Sequence, residues 1–167
     1  MRIAIIGVGT VGSGLARAAA SLGHDVVLSA RHPEHAAKVA EDVGARAADS
    51  AAEAADGAHM VVLAVPSTAV AGVSDKAFNT VFGGFLTHPV VDGIPLDGFY
   101  AGDDPAAKAA VADLVAAMGL RPIDVGALRA ARSLEHMAFL DISLNARNGL
   151  SWSSGWKLLG DVGRAET

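Results

Sequence analysis

Gly7-Val8-Gly9-Thr10-Val11-Gly12 places three glycines in a G-x-G-x-x-G run close to the start of the chain. An apolar stretch, Ile3 to Ile6, leads into it, an Ala- and Leu-rich stretch follows, and a second apolar run, Val26 to Leu28, comes next. Strand, glycine turn, helix and strand form the context in which this run cradles a dinucleotide. The first glycine allows the tight turn, the second lets a pyrophosphate approach the backbone, and the third lets the helix lie close to the sheet. The helix beginning near Thr10, with Val11 beside it, would offer unpaired N–H groups and a positive dipole end to the phosphates.

The end of the second strand selects between two dinucleotides. A site for NAD usually carries Asp or Glu there, to hold the ribose 2′-hydroxyl. Here the strand ends Leu28-Ser29-Ala30-Arg31-His32, with no acid. Arg31 can pair with a 2′-phosphate, Ser29 can donate to it, and His32 can add a second positive group. A carboxylate here would repel that phosphate, so the pattern favours NADP(H) over NAD(H).

These residues need a scaffold, and composition bounds it. At 167 residues the chain can bury a core as one domain. With 51% hydrophobic and 19% charged residues it reads as a soluble globular chain. No apolar run reaches the roughly 18 residues that span a bilayer, so no membrane partner is expected. The first strand begins within two residues of Met1, leaving no room for a signal peptide, and the cytoplasm is the default location. The absence of cysteine excludes disulfides, thiolate metal sites and cysteine nucleophiles. The net charge of −5 without a basic cluster argues against nucleic acid.

The elements follow from periodicity and punctuation. A helix runs from Thr10 to Leu22, with Leu15, Ala18, Ala19 and Leu22 on one face. A second runs from Pro33 to about Val43. Ala45 to Ala48 is a short strand, and Ser50 caps a short helix with Glu53 three residues on. His59 to Val65 reads as a buried strand ending at Pro66. Lys76 to Phe82 looks like another strand, but Ser67 to Asp75 is shorter than the roughly 10–12 residues a parallel crossover needs. Either that segment is not a parallel neighbour, or the crossover is missing. Gly83 to Asp97 reads as irregular loop. Gly98 to Gly102 is a strand, Pro105 to Met118 a helix capped by Asp103 or Asp104, and Pro122 to Val125 a last strand. Leu128 to Asn148 is a long helical pattern with Leu134, Met137, Leu140, Ile142 and Leu144 as its apolar positions. The expectation is an α/β, Rossmann-like, doubly wound and mainly parallel sheet. It forms a single NADP-binding domain over 1–167, with a C-terminal helical extension at about 128–167.

With these features the chain resembles the NADP oxidoreductases that use the deazaflavin coenzyme F420. The glycine turn and Ser29–Arg31 fit that family's N-terminal half, with Ala30 where a serine is usual. Lys76-Ala77-Phe78-Asn79-Thr80-Val81 resembles its motif near the reaction centre, and Ala101 to Glu135 is the closest-matching run. The cytosolic domains of six-transmembrane metalloreductases look similar there too. The resemblance implies an additional strand and helix between Pro66 and Lys76 that this chain lacks. It also implies that Pro66 and Ser67 flank the nicotinamide, with Val65 beside them as a further cofactor-binding residue, that Asn79 and Thr80 lie on the deazaflavin side, and that the protein is a homodimer. The cofactors implied are NADP(H) and coenzyme F420 or a related flavin, with a small-molecule electron carrier as partner.

Hydride transfer suits the residue inventory, because the cofactors carry the reaction and the protein orients them. None of the six histidines has metal-ligand spacing, and no serine sits in G-x-S-x-G. Glu135 and His136 could donate a proton to a reduced deazaflavin, or simply face solvent. Arg129 and Arg132 could meet an acidic cofactor tail, or be surface charges. No catalytic residue is assigned. The alternative is a shortened, catalytically silent NADP-binding sensor or partner subunit. A dehydrogenase of a small metabolite is a third reading, without a well-placed Lys or His for its acid–base step.

Overall fold

Ile3, Ala4 and Ile5 are buried on both faces of the first strand, as a strand covered by helices on both sides requires. The computed structural model describes residues 1–65, 75–77 and 80–160. The chain forms two compact units, Met1–Gly72 and Val73–Thr167.

The first unit holds β1 (Arg2–Ile6), α1 (Thr10–Ser21), β2 (Asp25–Ser29), α2 (Pro33–Val43), β3 (Arg46–Ala47), α3 (Ala51–Ala55) and β4 (Met60–Leu63). Its strands are all parallel and ordered β3-β2-β1-β4. The register sets Ile6 beside Ser29 on one side and Leu63 on the other. The chain therefore winds outward from β1 through β2 and β3, then returns to the other side of β1. In open α/β sheets, ligands bind outside the carboxyl ends of the strands at that reversal. The expected Rossmann-like sheet is present.

Local chemistry explains the elements. Leu15, Ala18 and Ala19 bury one face of α1, whereas Leu22 falls beyond the helix and is exposed. Ser50 caps α3, its Oγ accepting from Glu53 N at 3.1 Å, and the Glu53 carboxylate reaches back to Asp49 N at 3.0 Å. β4 departs from expectation. Val61 and Leu63 are 46% and 44% exposed, so this strand is not buried on both faces. Among the described residues it is one of the two edges of its sheet, β3 being the other.

The second unit contains β5 (Asp75–Ala77), β6 (Val90–Val91), β7 (Ile94–Pro95), β8 (Asp97–Gly102), α4 (Pro105–Ala117), β9 (Arg121–Asp124) and α5 (Ala131–Asn148). β8 is its buried centre, parallel to β9 and antiparallel to β5. This resolves the crossover problem: β5 runs antiparallel to its partner and is shorter than the expected Lys76–Phe82 strand. The expected loop before β8 contains a 3-10 turn at Gly83–Phe85 and the β6–β7 hairpin, closed by Asp92 and Gly93 with φ of 51° and 77°. Asp104 caps α4, its Oδ1 accepting from Ala106 N at 2.9 Å.

The long C-terminal pattern begins as a 3-10 turn, Leu128–Ala130, before α5. Leu134 packs with Phe99, Ala101 and Trp156. Further along, the buried face of α5 is polar. Asp141 and Asn145 are buried, while Leu140, Ile142 and Leu144 are exposed. Asn145 Nδ2 donates to Asp141 Oδ1 at 3.1 Å, and Ser154 Oγ donates to the same oxygen at 2.6 Å. Asn145 Oδ1 accepts from Trp152 N at 3.1 Å. This network ties the segment after α5 back onto the helix.

Candidate dinucleotide-binding site

The three glycines of the turn have three different reasons. Gly7 has φ of +103°, and a Cβ there would stand 2.4 Å from the Ala64 carbonyl oxygen. A Cβ at Gly12 would stand 1.9 Å from the Gly7 carbonyl oxygen. Both are required by the fold itself. Gly9 is different: its backbone is ordinary (φ −67°, ψ −170°), and a Cβ there would meet nothing within 4 Å. The space above Gly9 is left open by the protein.

That space lies at the start of α1. Gly9 is the N-cap, no side chain caps the helix, and its first turn carries no acid. The first helical hydrogen bond is Ser13 N to Gly9 O at 2.9 Å. Thr10, Val11 and Gly12 precede it, in the positions whose N–H groups have no intrahelical acceptor. Thr10 and Val11 are exposed. An uncapped, uncompensated helix start beside open space is a fitting cradle for a pyrophosphate.

The ends of the flanking strands converge on this turn. Gly7 N donates to Ser29 O at 2.8 Å, and Ala64 N donates to Ile6 O at 2.8 Å. Val65 reaches the turn as well, its Cγ1 lying 3.0 Å from the Cβ position of Gly7. Ser29 is buried, so the groups open to solvent at the end of β2 are Arg31 and His32. Arg31 makes no ion pair among the described residues. His32 Nδ1 lies 3.6 Å from Glu34 Oε1, and the His32 and His35 rings are 5.4 Å apart. Gly7, Gly9, Thr10, Val11, Gly12, Val65, Arg31 and His32 are thus brought to one end of one sheet.

Pro66, Ser67 and Asn79 lie outside the described residues. Thr80 belongs to the second unit. It is 3% exposed, and its Oγ1 has no hydrogen-bond partner among the described residues. Arg129, Arg132, Glu135 and His136 are exposed. No group of His, Asp and Glu suited to a metal occurs among the described residues. No helix among them is long and apolar enough to cross a membrane.

The sequence reading passed over a buried charge cluster in the second unit. Asp97 is fully buried and accepts from Arg121 Nε and Nη2, each at 2.8 Å, from Lys157 Nζ at 2.9 Å and from Leu158 N at 2.7 Å. Burial alone would raise its pKa, but the hydrogen bonds from Arg121, Leu158 and Lys157 outweigh that and hold it below the ordinary carboxylate value. Burial, with Asp124 nearby, pushes the Tyr100 phenol up, and Lys108 opposes the shift. Lys108 Nζ pairs with Asp124 Oδ2 at 2.8 Å. A sequence signal for Asp97 was its place at the head of an otherwise apolar strand.

Known proteins share this architecture. A structure of a candidate F420-dependent NADP reductase from Arthrobacter sp. FB24 superposes with a TM-score of 0.84, covering 96% of this chain and 100% of that one at 24% identity. A reductive aminase from Aspergillus terreus in complex with NADPH gives a TM-score of 0.68 at 16% identity, covering 89% of this chain and 63% of that one. Both likenesses speak for the fold. In sequence, a glycerol-3-phosphate dehydrogenase [NAD(P)+] from Alcanivorax borkumensis is 38% identical over 109 residues, 58% of this chain. The chain spans about a third (32%) of the length of that relative. The model of the family described as NADP oxidoreductase, coenzyme F420-dependent, matches residues 2–83 and stops short of Ala101–Glu135. The match over residues 2–83 includes the glycine turn and the ends of β1, β2 and β4, and the resemblance read from the residues is borne out there.

Proposed function

We propose that the protein binds NADP(H) at the glycine turn and exchanges a hydride between it and coenzyme F420 or a related flavin. The observation that carries the reading is the open space over Gly9 at the uncapped start of α1. The N–H groups of Thr10, Val11 and Gly12 bind the pyrophosphate, and Gly9 leaves it room. Arg31 pairs with the 2′-phosphate, assisted by His32. Val65, with Pro66 and Ser67 by resemblance, borders the nicotinamide. When bound, the nicotinamide supplies or accepts the hydride, and the chain's task is to orient it and keep water away. Asn79 and Thr80 enter by resemblance, and the Thr80 hydroxyl, without a partner among the described residues, is the kind of group a bound acceptor would satisfy.

A second reading is NADP binding without turnover. The uncovered face of β4, with Val61 and Leu63 exposed, favours it, because a further crossover element would ordinarily cover that face. The assembly we propose is a homodimer. Its support is the solvent face of α5, where Phe139 is 71% exposed and Leu140, Ile142 and Leu144 are also open. A monomer by light scattering would remove the dimer.

The test is anaerobic oxidation of NADPH by coenzyme F420, followed by deazaflavin absorbance, with NADH as the parallel control. Glycerol 3-phosphate with NADP+ serves as the competing reaction. Turnover with F420 that prefers NADPH supports hydride exchange. Binding of NADPH without turnover of either pair moves the assignment to the silent binding protein.

A further inference from the structure

Asn148-Gly149 is the one place in the chain where glycine follows asparagine; Asn79 and Asn145 precede threonine and alanine. Such a pair can react with itself. The Gly149 nitrogen attacks Asn148 Cγ and forms a five-membered succinimide, the Cγ–Nδ2 bond breaks, and ammonia leaves. Water then opens the ring at either carbonyl. One opening leaves aspartate, the other isoaspartate, with an extra methylene in the main chain. No reagent other than water takes part. Glycine suits the attack because it has no Cβ to crowd it. Both residues are exposed, and the space around Gly149 is open, with nothing within 4 Å of a Cβ position.

The fold holds both reacting groups back. Asn148 is the last residue of α5, and Gly149 is its left-handed cap, with φ of 60° and ψ of 34°. Gly149 N donates to Asn145 O, and Leu150 N donates to the same oxygen at 3.0 Å. Asn148 Nδ2 donates to Leu144 O at 2.8 Å, which draws the amide back toward the preceding turn. Ring closure therefore requires the last turn to open. Asn145 keeps it closed twice over. Its carbonyl holds Gly149 and Leu150, and its side chain binds Asp141, Ser154 and Trp152 N, anchoring the segment that follows.

We propose that Asn148-Gly149 is a site of spontaneous deamidation, timed by opening of the last turn of α5, and that the product releases the segment after the helix. The new carboxylate stands at the negative end of the helix, where the dipole opposes it. The product also lacks the Nδ2 donor to Leu144 O, and isoaspartate lengthens the main chain at the cap. Each change weakens the turn that had protected the pair, so the modification runs one way.

The experiment ages the natural protein, Asn145→Leu and Ser154→Ala in neutral buffer, both folded and in guanidinium. Peptides spanning Asn148 are quantified by mass spectrometry, and isoaspartate is labelled with an isoaspartyl methyltransferase. Circular dichroism establishes that each variant is folded, and Ser154→Ala carries the comparison should Asn145→Leu not fold. In guanidinium all three chains are expected to convert at one rate. Folded, the natural protein converts more slowly than that, Asn145→Leu about tenfold faster than the natural protein, and Ser154→Ala about threefold faster. Equal rates in the natural protein and the folded variants, or folded conversion as fast as in guanidinium, overturn the timing. No conversion at Asn148 in the folded natural protein, while the unfolded chain converts, overturns the site. Deamidated protein isolated by ion exchange is expected to show altered near-ultraviolet dichroism of tryptophan; a spectrum identical to that of fresh protein overturns the release.

Discussion

The carbonyl oxygen of Ala64 lies 2.4 Å from the point at which a side chain on Gly7 would begin. The end of β4 thus seals one side of the turn, and α1 seals another through Gly12. Gly7→Ala and Gly12→Ala must both push backbone apart, so each is expected to cost about 3 kcal/mol. Urea titration followed by circular dichroism checks this. Native stability in Gly12→Ala would contradict the close approach.

Gly9→Ser separates folding from binding. Serine is a favoured N-cap, and its hydroxyl can accept from the N–H groups of the first turn. With open space at this position, the variant is expected to be as stable as the natural protein, within about 0.5 kcal/mol. Its side chain would occupy both the room and the donors that a pyrophosphate needs. Thermal melting of the free protein tests the first half of this expectation.

Arg31, two residues beyond Ser29 in the chain, is exposed and makes no ion pair among the described residues. Arg31→Ala is expected to weaken NADPH binding about tenfold, the value of a charge-assisted hydrogen bond. NADH, without the 2′-phosphate, should bind the variant as it binds the parent. Calorimetric titration of both dinucleotides decides it, and equal losses for the two would assign Arg31 elsewhere.

Asp97 makes the second unit sensitive to acid. Its pKa is held below the unfolded value, so its contribution to stability is complete above about pH 4. That contribution is lost as pH falls through the lower, folded value. Asp97→Asn removes the charge at every pH and leaves Arg121 and Lys157 uncompensated, at a cost of about 3 kcal/mol. Denaturation at about pH 7 and about pH 3 measures both. The gap between parent and variant should narrow at the acid end; an unchanged gap would speak against the ion pairs.

The network on α5 predicts the behaviour of the tail. Asn145→Leu leaves the Trp152 N–H without its acceptor and removes one of the two donors to Asp141 Oδ1, at a cost of about 2 kcal/mol. Trp152 stands edge-on to Phe82 at 5.7 Å. Release of the tail should change the near-ultraviolet dichroism of tryptophan, and an unaltered spectrum would show that the network does not hold it.

The parts legible in the sequence were those set by local rules. Glycine spacing, the Pro33 and Pro105 helix starts and the Ser50 cap each leave a mark in a few residues, and they lie where expected. Burial depended on partners that periodicity does not name. Leu140, Ile142 and Leu144 look like core positions, yet Asp141 and Asn145 hold the buried face because Ser154 and Trp152 satisfy them. β4 is apolar enough for a central strand and lies at an edge. Asp92-Gly93 was a hairpin signal in plain view, hidden by the glycines and prolines around it. Asp97 stood out at the head of an apolar strand, but its partners were unreadable because all four of its side-chain bonds come from residues 60 or 61 positions away or from the neighbouring strand.

Titration of NADPH into the natural protein and into Gly9→Ser tests the central claim most directly. The account predicts saturable binding to the natural protein, tighter than that of NADH, and a loss of at least about tenfold in a Gly9→Ser protein that remains folded. Equal NADPH affinity in the two proteins, or no binding to the natural one, would contradict it.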